Sequence, residues 1–320
     1  MHYAKPYRAI DQQIGLIESR GMTVPDWDKA AEYLRRIGYY RLSAYWHPFR
    51  KRLTDAGGKH TIIDDFKPDA DFKSVVDLYA FDKGLRLILL DGLERIEISL
   101  RTEVALAIGK HDPFGHRRPD LLDGRFVRPE RPRQICHADW LESLDQKAVR
   151  SKEEFAVHFR TKYPDSQMPI WIAVELLDFG PLSMLLEGMK FKDQEGICSS
   201  YKIPRPHLLT TWIRSLAGVR NVCAHHARLW NKPLTNQPSL ARSGELPDLD
   251  HLRTSPGSNG RLYAAACIVR YMLREISPRS KWHERLAAHM STFPARPVIS
   301  LEAAGFSDGW SSLSLWSGNT

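Results

Sequence analysis

The residues best suited to chemistry lie between Arg205 and Asn231, in the segment RPHLLTTWIRSLAGVRNVCAHHARLWN. Within it, Arg220, Asn221 and His225 are spaced so that a helix would bring all three into two neighbouring turns. A guanidinium group binds phosphate oxygens, and an imidazole exchanges a proton near neutral pH. The segment therefore has the residue types needed to hold a phosphate and to transfer a proton beside it.

The same segment predicts the element that positions these side chains. Residues Leu208 to Leu229 include no proline and predict one helix, with Pro206 in its first turn and Pro233 preventing much continuation. At about 100° per residue, two faces separate. The apolar face collects Trp212, Leu216, Val219, Val222, Cys223 and Trp230. The polar face collects Arg214, Ala217, Gly218, Arg220, Asn221, Ala224, His225 and Arg228, whose small members leave a shallow groove between the charged ones.

The two adjacent histidines fall on different faces of this predicted helix. His226 lies in the middle of the apolar face, so we expect it to be packed as a structural residue. His225 lies on the polar face four residues after Asn221, whose amide can fix the orientation of the ring. Arg220 lies about 140° away around the helix, and its side chain can cross Ala224 toward the same point. A helix whose polar side is merely solvated is the alternative on these residues alone.

Several stretches resemble known proteins when the motif is considered with its surroundings. Arg220 to His225 fits the Arg-x4-His motif of HEPN-domain ribonucleases, and RNVCAHHARLWN is similar to the signature of the Abi-like family of bacterial phage-defence proteins. Four other stretches resemble parts of that family in the same order: GYYRLSAYWHPF, LYAFDKGLRLILLDGLERIEISLR, PIWIAVELLDFGPLS and the closing GFSDGWSSLSLW. The spacing of arginine and histidine alone is unspecific, but the ordered matches extend the resemblance over nearly the whole chain.

The resemblance implies a mechanism and a set of roles. HEPN ribonucleases cut RNA without a metal ion or other cofactor, by attack of a 2′-hydroxyl on the adjacent phosphate, which leaves 2′,3′-cyclic phosphate and 5′-hydroxyl ends. The resemblance also implies a homodimer whose two chains contribute to one composite site. His225 would then be the general acid or base, Arg220 the phosphate clamp, and Asn221 the group that orients His225 or the scissile phosphate. Arg214 and Arg228 would be accessory phosphate contacts.

The composition is that of a globular protein with a basic charge balance. The 320 residues carry a formal net charge of +8 and a pI near 9.3, which favours polyanionic partners such as RNA. The four cysteines, Cys136, Cys198, Cys223 and Cys267, form no CxxC pair and fit a reducing cytosol better than a disulfide framework or a zinc site. The polar start MHYAKPYRAI predicts no signal peptide, and no apolar run is long enough to span a membrane. We therefore expect a cytoplasmic protein.

A second candidate surface for RNA lies near the start of the chain. The segment RRIGYYRLSAYWHPFRKR interleaves arginines with aromatic rings, a combination that stacks on bases and binds phosphates of single-stranded RNA. Arg35, Arg41 and Tyr40 are its candidate contacts. Leu34 and Leu42 indicate that part of the segment is core, so a core element with a solvated basic edge is the alternative.

The longest predicted helix runs from Phe72 to about Lys110, with apolar residues at spacings of three and four throughout. Its other faces carry oppositely charged pairs four residues apart: Asp82 with Arg86, Asp91 with Arg95, and Glu97 with Arg101. We expect Glu97 and Arg101 to come nearest to the Arg-x4-His motif.

The segments on either side of this helix predict loops. Residues 54–71 (TDAGGKHTIIDDFKPDAD) contain several aspartates, which collect before a helix N-terminus more readily than they form a metal site. Residues 111–135 contain prolines, glycines and a dense basic cluster, and predict an irregular loop. Arg117 and Arg118 in that loop are candidates for sequence-independent phosphate contact, with a plain solvated loop as the alternative.

No alternating strand pattern of useful length appears, so the sequence predicts an all-α protein. Combined with the resemblance, this becomes a HEPN-like helical bundle over residues 61–290, preceded by an N-terminal helical region, 1–60. A C-terminal tail, 291–320, follows. We expect its apolar residues to pin it to the core: Phe306, Trp310, Leu315 and Trp316.

Two rival functions stay open on the sequence. The same basic groove would also suit a toxin–antitoxin or defence component that holds a structured, regulatory RNA without cutting it. A metal hydrolase is disfavoured because His225 and His226 are predicted to point apart and no carboxylate has ligand spacing to them. Cleavage of RNA in the presence of a chelator separates the three hypotheses.

Overall fold

The computed structural model describes residue 2 and residues 6–54, 57–128, 130, 135–254 and 257–317. Within these ranges the chain is mostly helical and contains a single two-stranded sheet, so the all-α prediction is confirmed at this level. None of the helices described here has both the length and the apolar character needed to cross a bilayer.

The elements follow one another in this order. The N-terminal part contains α1 (Ile10–Ser19), α2 (Trp27–Ile37), α3 (Tyr39–Trp46), β1 (Arg50–Thr54) and β2 (His60–Phe66). The middle contains α4 (Phe72–Gly109), α5 (Gly124–Val127), α6 (His137–Arg150), α7 (Glu154–Lys162), α8 (Ile170–Ala173), α9 (Phe179–Glu187), α10 (Phe191–Ser200) and α11 (Pro206–Ala224). The C-terminal part contains α12 (Leu262–Ile276), α13 (Trp282–Met290) and α14 (Ser314–Ser317).

Helix α4 is the axis on which the other elements pack. Its first turn is capped by Asp71, whose carboxylate accepts the backbone N–H of Ser74 at 2.8 Å. The 38 residues of α4 span about 57 Å at the standard rise. The predicted apolar stripe is buried along the whole helix and faces α3, α8, α11, α12 and α13. The predicted long helix is therefore confirmed.

The segment between α3 and α4 is a β-hairpin where the sequence predicted a loop over 54–71. Strands β1 and β2 pair antiparallel, with Arg52 opposite Ile62 and Thr54 opposite His60. Almost every side chain of the hairpin is exposed, so burial imposes no alternating pattern that sequence periodicity could detect. The proposed boundary between residues 60 and 61 lies within β2, and the division into three regions stays a prediction.

The helices that precede the hairpin bring α3 onto α4. Asp26 caps α2 by accepting the N–H of Lys29 at 2.9 Å, and Gly38, at φ +90°, separates α2 from α3. Helix α3 then buries Tyr45 and Trp46 against the core. Its opposite side carries Tyr40 and Arg41 to the surface.

The C-terminal tail packs on the core as predicted. The ring of Phe306 lies 4.9 Å from that of Tyr263, and the ring of Trp316 lies 6.5 Å from that of Trp282. Trp310 is also buried and meets Trp316 edge to face at 4.8 Å. The tail thus covers α12 and α13 with aromatic side chains.

One test of this packing compares the same substitution at two helical glycines. A Cβ at Gly92 of α4 would lie 2.8 Å from both Trp282 and Val269, so we expect Gly92→Ala to destabilise the protein by about 1–3 kcal/mol. A Cβ at Gly15 of α1 would meet nothing within 4 Å. Gly15→Ala is therefore expected to stabilise by about 0.5–1 kcal/mol through helix propensity. The melting temperature should fall for Gly92→Ala and rise for Gly15→Ala. Equal changes in melting temperature would contradict the close approach at Gly92.

Candidate functional site

The motif lies at the C-terminal end of α11, and this helix ends earlier than predicted. The sequence predicted a helix as far as Leu229, whereas α11 ends at Ala224. The N–H of His226 bonds the carbonyl of Cys223, and the N–H of Ala227 bonds the carbonyl of Val222, both at 3.0 Å. These two bonds form a Schellman motif, and His226 takes its left-handed position, with φ +55°. Glycine is the usual residue at this position. Because a histidine takes its place, the sequence lacks the usual signal for the end of a helix.

The chain after the turn is fixed by a buried carboxylate on α4. Asp82 is completely buried and accepts the backbone N–H of Trp230 at 2.7 Å and that of Leu229 at 3.1 Å. Tyr45 of α3 donates its hydroxyl to the same carboxylate at 2.7 Å. One side chain therefore joins α3, α4 and the segment that follows the motif.

Arg86, one turn further along α4, completes this buried cluster. Its guanidinium group is paired with Asp82, and it donates to the hydroxyl of Tyr45 at 2.9 Å and to the carbonyl of Ala227 at 3.3 Å. Burial is the main cause that raises the pKa of Tyr45, and the charge of Asp82 adds to it. Tyr45 therefore stays protonated as a donor at neutral pH.

Two more arginines attach the turn to α3. Arg41 donates to the carbonyl of His226 at 2.7 Å, which fixes the backbone immediately after His225. Arg228 points inward and donates to the carbonyl of Ala44, and burial lowers its pKa. Arg41 is thus at the motif, whereas the guanidinium of Arg228 is largely used in the structure.

The predicted catalytic residues come together at the exposed end of α11. Asn221 and His225 are exposed, and the backbone N–H of His225 bonds the carbonyl of Asn221 at 3.0 Å. Within the described chain, neither the imidazole of His225 nor the amide of Asn221 has a side-chain hydrogen-bond partner. Among the described residues the amide of Asn221 therefore makes no hydrogen bond to the ring of His225, and its orienting role stays a prediction.

Arg220 is held from the side by α4. Its Nε lies 3.6 Å from Oε2 of Glu97, and Arg101 bonds the other oxygen of Glu97 at 2.7 Å. Burial has the largest effect on Glu97 and holds its pKa above the usual value, although Arg101 and Arg220 act in the opposite direction. The expectation that Glu97 and Arg101 approach the motif is confirmed. Arg220 donates no side-chain hydrogen bond among the described residues, and it is about 30% exposed.

His226 lies where the sequence did not place it. We expected it to be packed in the apolar face of a continuous helix, but the early end of α11 turns it out of that face, and it is exposed. Cys223 and Trp230, predicted on the same face, are buried as expected. The prediction for His226 was wrong because it assumed helical geometry one turn beyond the actual end of the helix.

A basic surface continues from the motif toward the hairpin. His47 follows α3 directly, and burial together with the charges of Arg228, Arg50 and Arg52 lowers its pKa. These arginines therefore lie near enough to His47 to raise the local positive potential. Lys51 and Arg52 on β1 are exposed and have no ion-pair partner among the residues that the structure describes, so they add cations to the surface beyond the motif itself.

The other predicted RNA-binding residues are not gathered at the motif. Arg35 is exposed on α2, and the side chain of Tyr40 on α3 is 90% exposed. Each of the remaining arginines is paired with a carboxylate: Arg117 with Asp145 through two bonds of 2.8 Å, Arg118 with Asp112 and Asp120, and Arg214 with Glu187. Residues 129 and 131–134 of the predicted basic loop lie outside the described residues.

The motif is open to solvent, because Asn221, His225 and His226 are exposed. Two concave regions occur elsewhere, one lined by Arg95 and residues 277–280, the other by residues of α2 and the start of α4. Neither includes a residue of the Arg-x4-His motif. In the part of the chain that the structure describes, no group of three or more His, Cys, Asp or Glu is arranged to hold a metal ion.

The anchoring roles of Asp82, Arg86 and Tyr45 were not predicted from the sequence. A signal was present, because Asp82 follows Leu78 by four residues and precedes Leu85 by three, which places it inside the apolar stripe of α4. A carboxylate at such a position has to find donors in the core. Its partners could not be predicted, because they come from α3 and from the segment after α11.

Comparison with models of protein families gives a match. The family model described as Abi-like protein matches residues 32–231, which are 200 of the 320 residues and include α3, α4 and the whole motif. No curated protein matches the chain, and no solved structure matches it.

The buried carboxylate gives a direct test of how the motif is held. Asp82→Asn keeps the shape of the side chain but leaves Arg86 as an unpaired buried charge, so we expect a loss of about 3–5 kcal/mol in stability. Asp91→Asn is the matched control, because Asp91 is on the same helix and is also paired with arginines, Arg95 and Arg285, but is partly exposed. The loss of stability in Asp91→Asn should stay below about 1 kcal/mol. Chemical denaturation measures the free energy of unfolding of both variants. A loss in Asp82→Asn no larger than that in Asp91→Asn would contradict the anchoring role of Asp82.

Proposed function

The chain belongs to the Abi-like protein family, which is associated with abortive infection and phage defence, and we propose that it is a metal-independent endoribonuclease of the HEPN type. The proposed reaction cuts RNA by attack of a 2′-hydroxyl on the adjacent phosphate. It leaves one product with a 2′,3′-cyclic phosphate and the other with a 5′-hydroxyl.

One observation carries this proposal. Arg220 and His225 lie at the same exposed helix end, and the imidazole of His225 has no partner among the described residues. A histidine with a structural role usually spends its ring nitrogens on the protein, as His137 does with the carbonyl of His116 at 2.8 Å. An uncommitted imidazole and a guanidinium at one helix end are the groups that acid–base cleavage of a phosphodiester uses.

The surrounding residues support the roles that the motif suggests. Glu97 and Arg101 hold Arg220 from the side, so the guanidinium group is oriented before a phosphate arrives. The open surface suits a long polymer better than a small substrate, because a polymer needs no enclosed pocket. The basic surface through Arg41, Arg52 and Lys51 offers a path for the phosphates on either side of the cut.

The cleavage also needs a second group, since one group takes the proton of the 2′-hydroxyl and another gives a proton to the leaving 5′-oxygen. The family resemblance implies that the second imidazole comes from a partner chain in a homodimer. We therefore include a homodimer in the proposal, and size-exclusion chromatography with light scattering tests it. A non-cleaving RNA-binding protein is the alternative outcome of the experiments below.

The central experiment is RNA cleavage in excess EDTA. We expect the wild type to cut single-stranded RNA under these conditions, and His225→Ala and Arg220→Ala each to lose a factor of about 10²–10⁴ in rate. The ends are identified by their chemistry: a cyclic phosphate resists phosphatase until acid opens it. Inhibition by EDTA would point to a metal hydrolase, and tight binding without cleavage would favour the RNA-binding alternative.

Arg242→Ala is the matched control for the arginine substitution. Arg242 is 76% exposed and shares Glu245 with Arg205, which precedes the first turn of α11. Because Arg205 precedes Arg220 by 15 residues, this region lies about 22 Å from the start of the motif along the helix. Arg242→Ala should therefore cleave at the wild-type rate.

A separate prediction concerns the basic hairpin. We expect Lys51→Ala and Arg52→Ala to weaken RNA binding equally for all sequences, and each to reduce the salt dependence of log Kd by about one. Fluorescence anisotropy across a salt series, with the non-cleaving His225→Ala background, measures this. If the salt dependence of log Kd is unchanged in both variants, the hairpin does not contact the RNA.

A further inference from the structure

We propose that a second copy of the chain packs on the exposed face of α4, with the two α4 helices antiparallel and related by a two-fold axis. This inference rests on the proposed function, which needs a second chain to complete the site, and it deepens that function by assigning the surface on which the second chain binds. The surface is called the α4 face and consists of Lys83, Leu87, Leu90 and Glu94.

The four side chains of the α4 face lie on one side of a regular helix. At about 100° per residue they fall within a sector of about 60° and extend over about 16 Å of the helix axis. Lys83, Leu87 and Glu94 are exposed, with Leu87 60% open to solvent, and Leu90 is half-buried. The α4 face therefore has an apolar centre between charged ends, as protein interfaces have an apolar core within a polar rim.

The two charges of the α4 face are not used within the chain. Neither Lys83 nor Glu94 has an ion-pair partner among the described residues, whereas Asp91 on the same helix is paired with Arg95. Lys83 and Glu94 are 11 residues apart, which is about 16 Å along the helix, so they cannot pair with each other in one chain. Both charges are available to a partner.

The pattern of the α4 face is complementary to itself in the opposite direction. The midpoint between Leu87 and Leu90 lies at residues 88–89, and the midpoint between Lys83 and Glu94 lies at the same place. In an antiparallel pair with its two-fold axis at this level, each lysine faces a glutamate of the other chain. Each Leu87 likewise faces a Leu90. Every contact forms twice, as in an isologous interface, so the α4 face fits a second copy of itself.

The axis at residues 88–89 is also near the level of His225. The Nε of Arg220 lies 3.6 Å from Glu97. The carbonyl of Ala227, seven residues later, accepts from Arg86 at 3.3 Å, which is nearer the start of α4. The motif segment therefore runs antiparallel to α4. His225 lies between its two contacts with α4, as the axis does.

A two-fold axis of this kind brings both motifs to the same side of the dimer. The motif lies along one edge of the α4 face, and α13 lies along the other, where Arg285 pairs with Asp91. The axis lies in the interface at right angles to the helices, so it reverses their direction without exchanging the edges. The two His225 residues then share one edge and one level. One imidazole, neutral, can accept the proton of the 2′-hydroxyl, and the other, protonated, can donate to the leaving 5′-oxygen.

Exchange of the two charges tests the antiparallel arrangement. Lys83→Glu and Glu94→Lys should each raise the Kd of the dimer about tenfold or more, because like charges then face each other twice. The double variant K83E/E94K restores opposite charges and should dimerise within about threefold of the wild-type Kd. Such a rescue has to act between chains, since the two residues are too far apart in one chain. Lys192→Glu, at an exposed lysine of α10, should leave the Kd unchanged.

A charge placed in the apolar centre tests the packing of the leucines. Leu87→Glu should raise the Kd of the dimer about a hundredfold or more, because it buries a carboxylate against Leu90 of the other chain. Leu106→Glu is the matched control. Leu106 is 64% exposed on the same helix, but it lies about 28 Å from Leu87 and outside the sector of the α4 face. Melting curves by circular dichroism show that each variant is folded.

Analytical ultracentrifugation over a concentration series measures the Kd, and cleavage of RNA in EDTA is followed in parallel. We expect cleavage per chain to follow the fraction of dimer in every variant, including its recovery in K83E/E94K. The interface is overturned by a monomeric wild type, by single charge variants that dimerise like the wild type, or by a double variant no better than the single ones. The ribonuclease stays intact in each case if RNA is still cut. A dimer that shows the charge rescue but cuts no RNA would overturn the ribonuclease and leave the interface.

Discussion

The carboxylate of Asp82 is buried away from water, which costs free energy. The hydrogen bonds that offset this cost determine the geometry of the motif. Removing a carboxylate from water costs several kcal/mol unless donors replace the solvent. Asp82 receives donors from Tyr45, Arg86 and the N–H groups of Leu229 and Trp230. These donors come from α3, α4 and the segment after α11, so the three elements can satisfy the charge only in one relative arrangement. The position of the motif follows from that arrangement.

The early end of α11 is the main consequence. If the helix continued to Leu229, the N–H groups of Leu229 and Trp230 would be directed along its axis and could not meet Asp82 from the side. The chain instead turns at His226, and the turn exposes both histidines at the end of the helix. The buried cluster thus fixes the backbone from inside, while the side chains that it presents outward stay uncommitted. Rigid backbone and free side chains are the combination expected of a preorganised site.

The arginines of this basic protein fall into two groups, those that serve the fold and those at the motif. Arg86, Arg117 and Arg214 are paired with carboxylates and serve the fold. Arg41 and Arg220 lie at the motif, where one holds a backbone carbonyl and the other is steadied by Glu97 without a hydrogen bond of its own in the described chain. The net charge of +8 therefore says less about RNA binding than the location of the arginines that remain available.

The sequence by itself determined the helical architecture, the full extent of α4, the burial of the aromatic tail and the set of residues at the motif. These features depend on periodicity and residue type, which are local properties of a chain. It could not determine the end of α11, the exposure of His226 or the contact between Arg41 and the turn. Each of these depends on groups more than a hundred residues apart, since Arg41 and Asp82 act on backbone between His226 and Trp230. Only tertiary structure decides such contacts, because the side chains that hold the turned segment come from distant parts of the sequence.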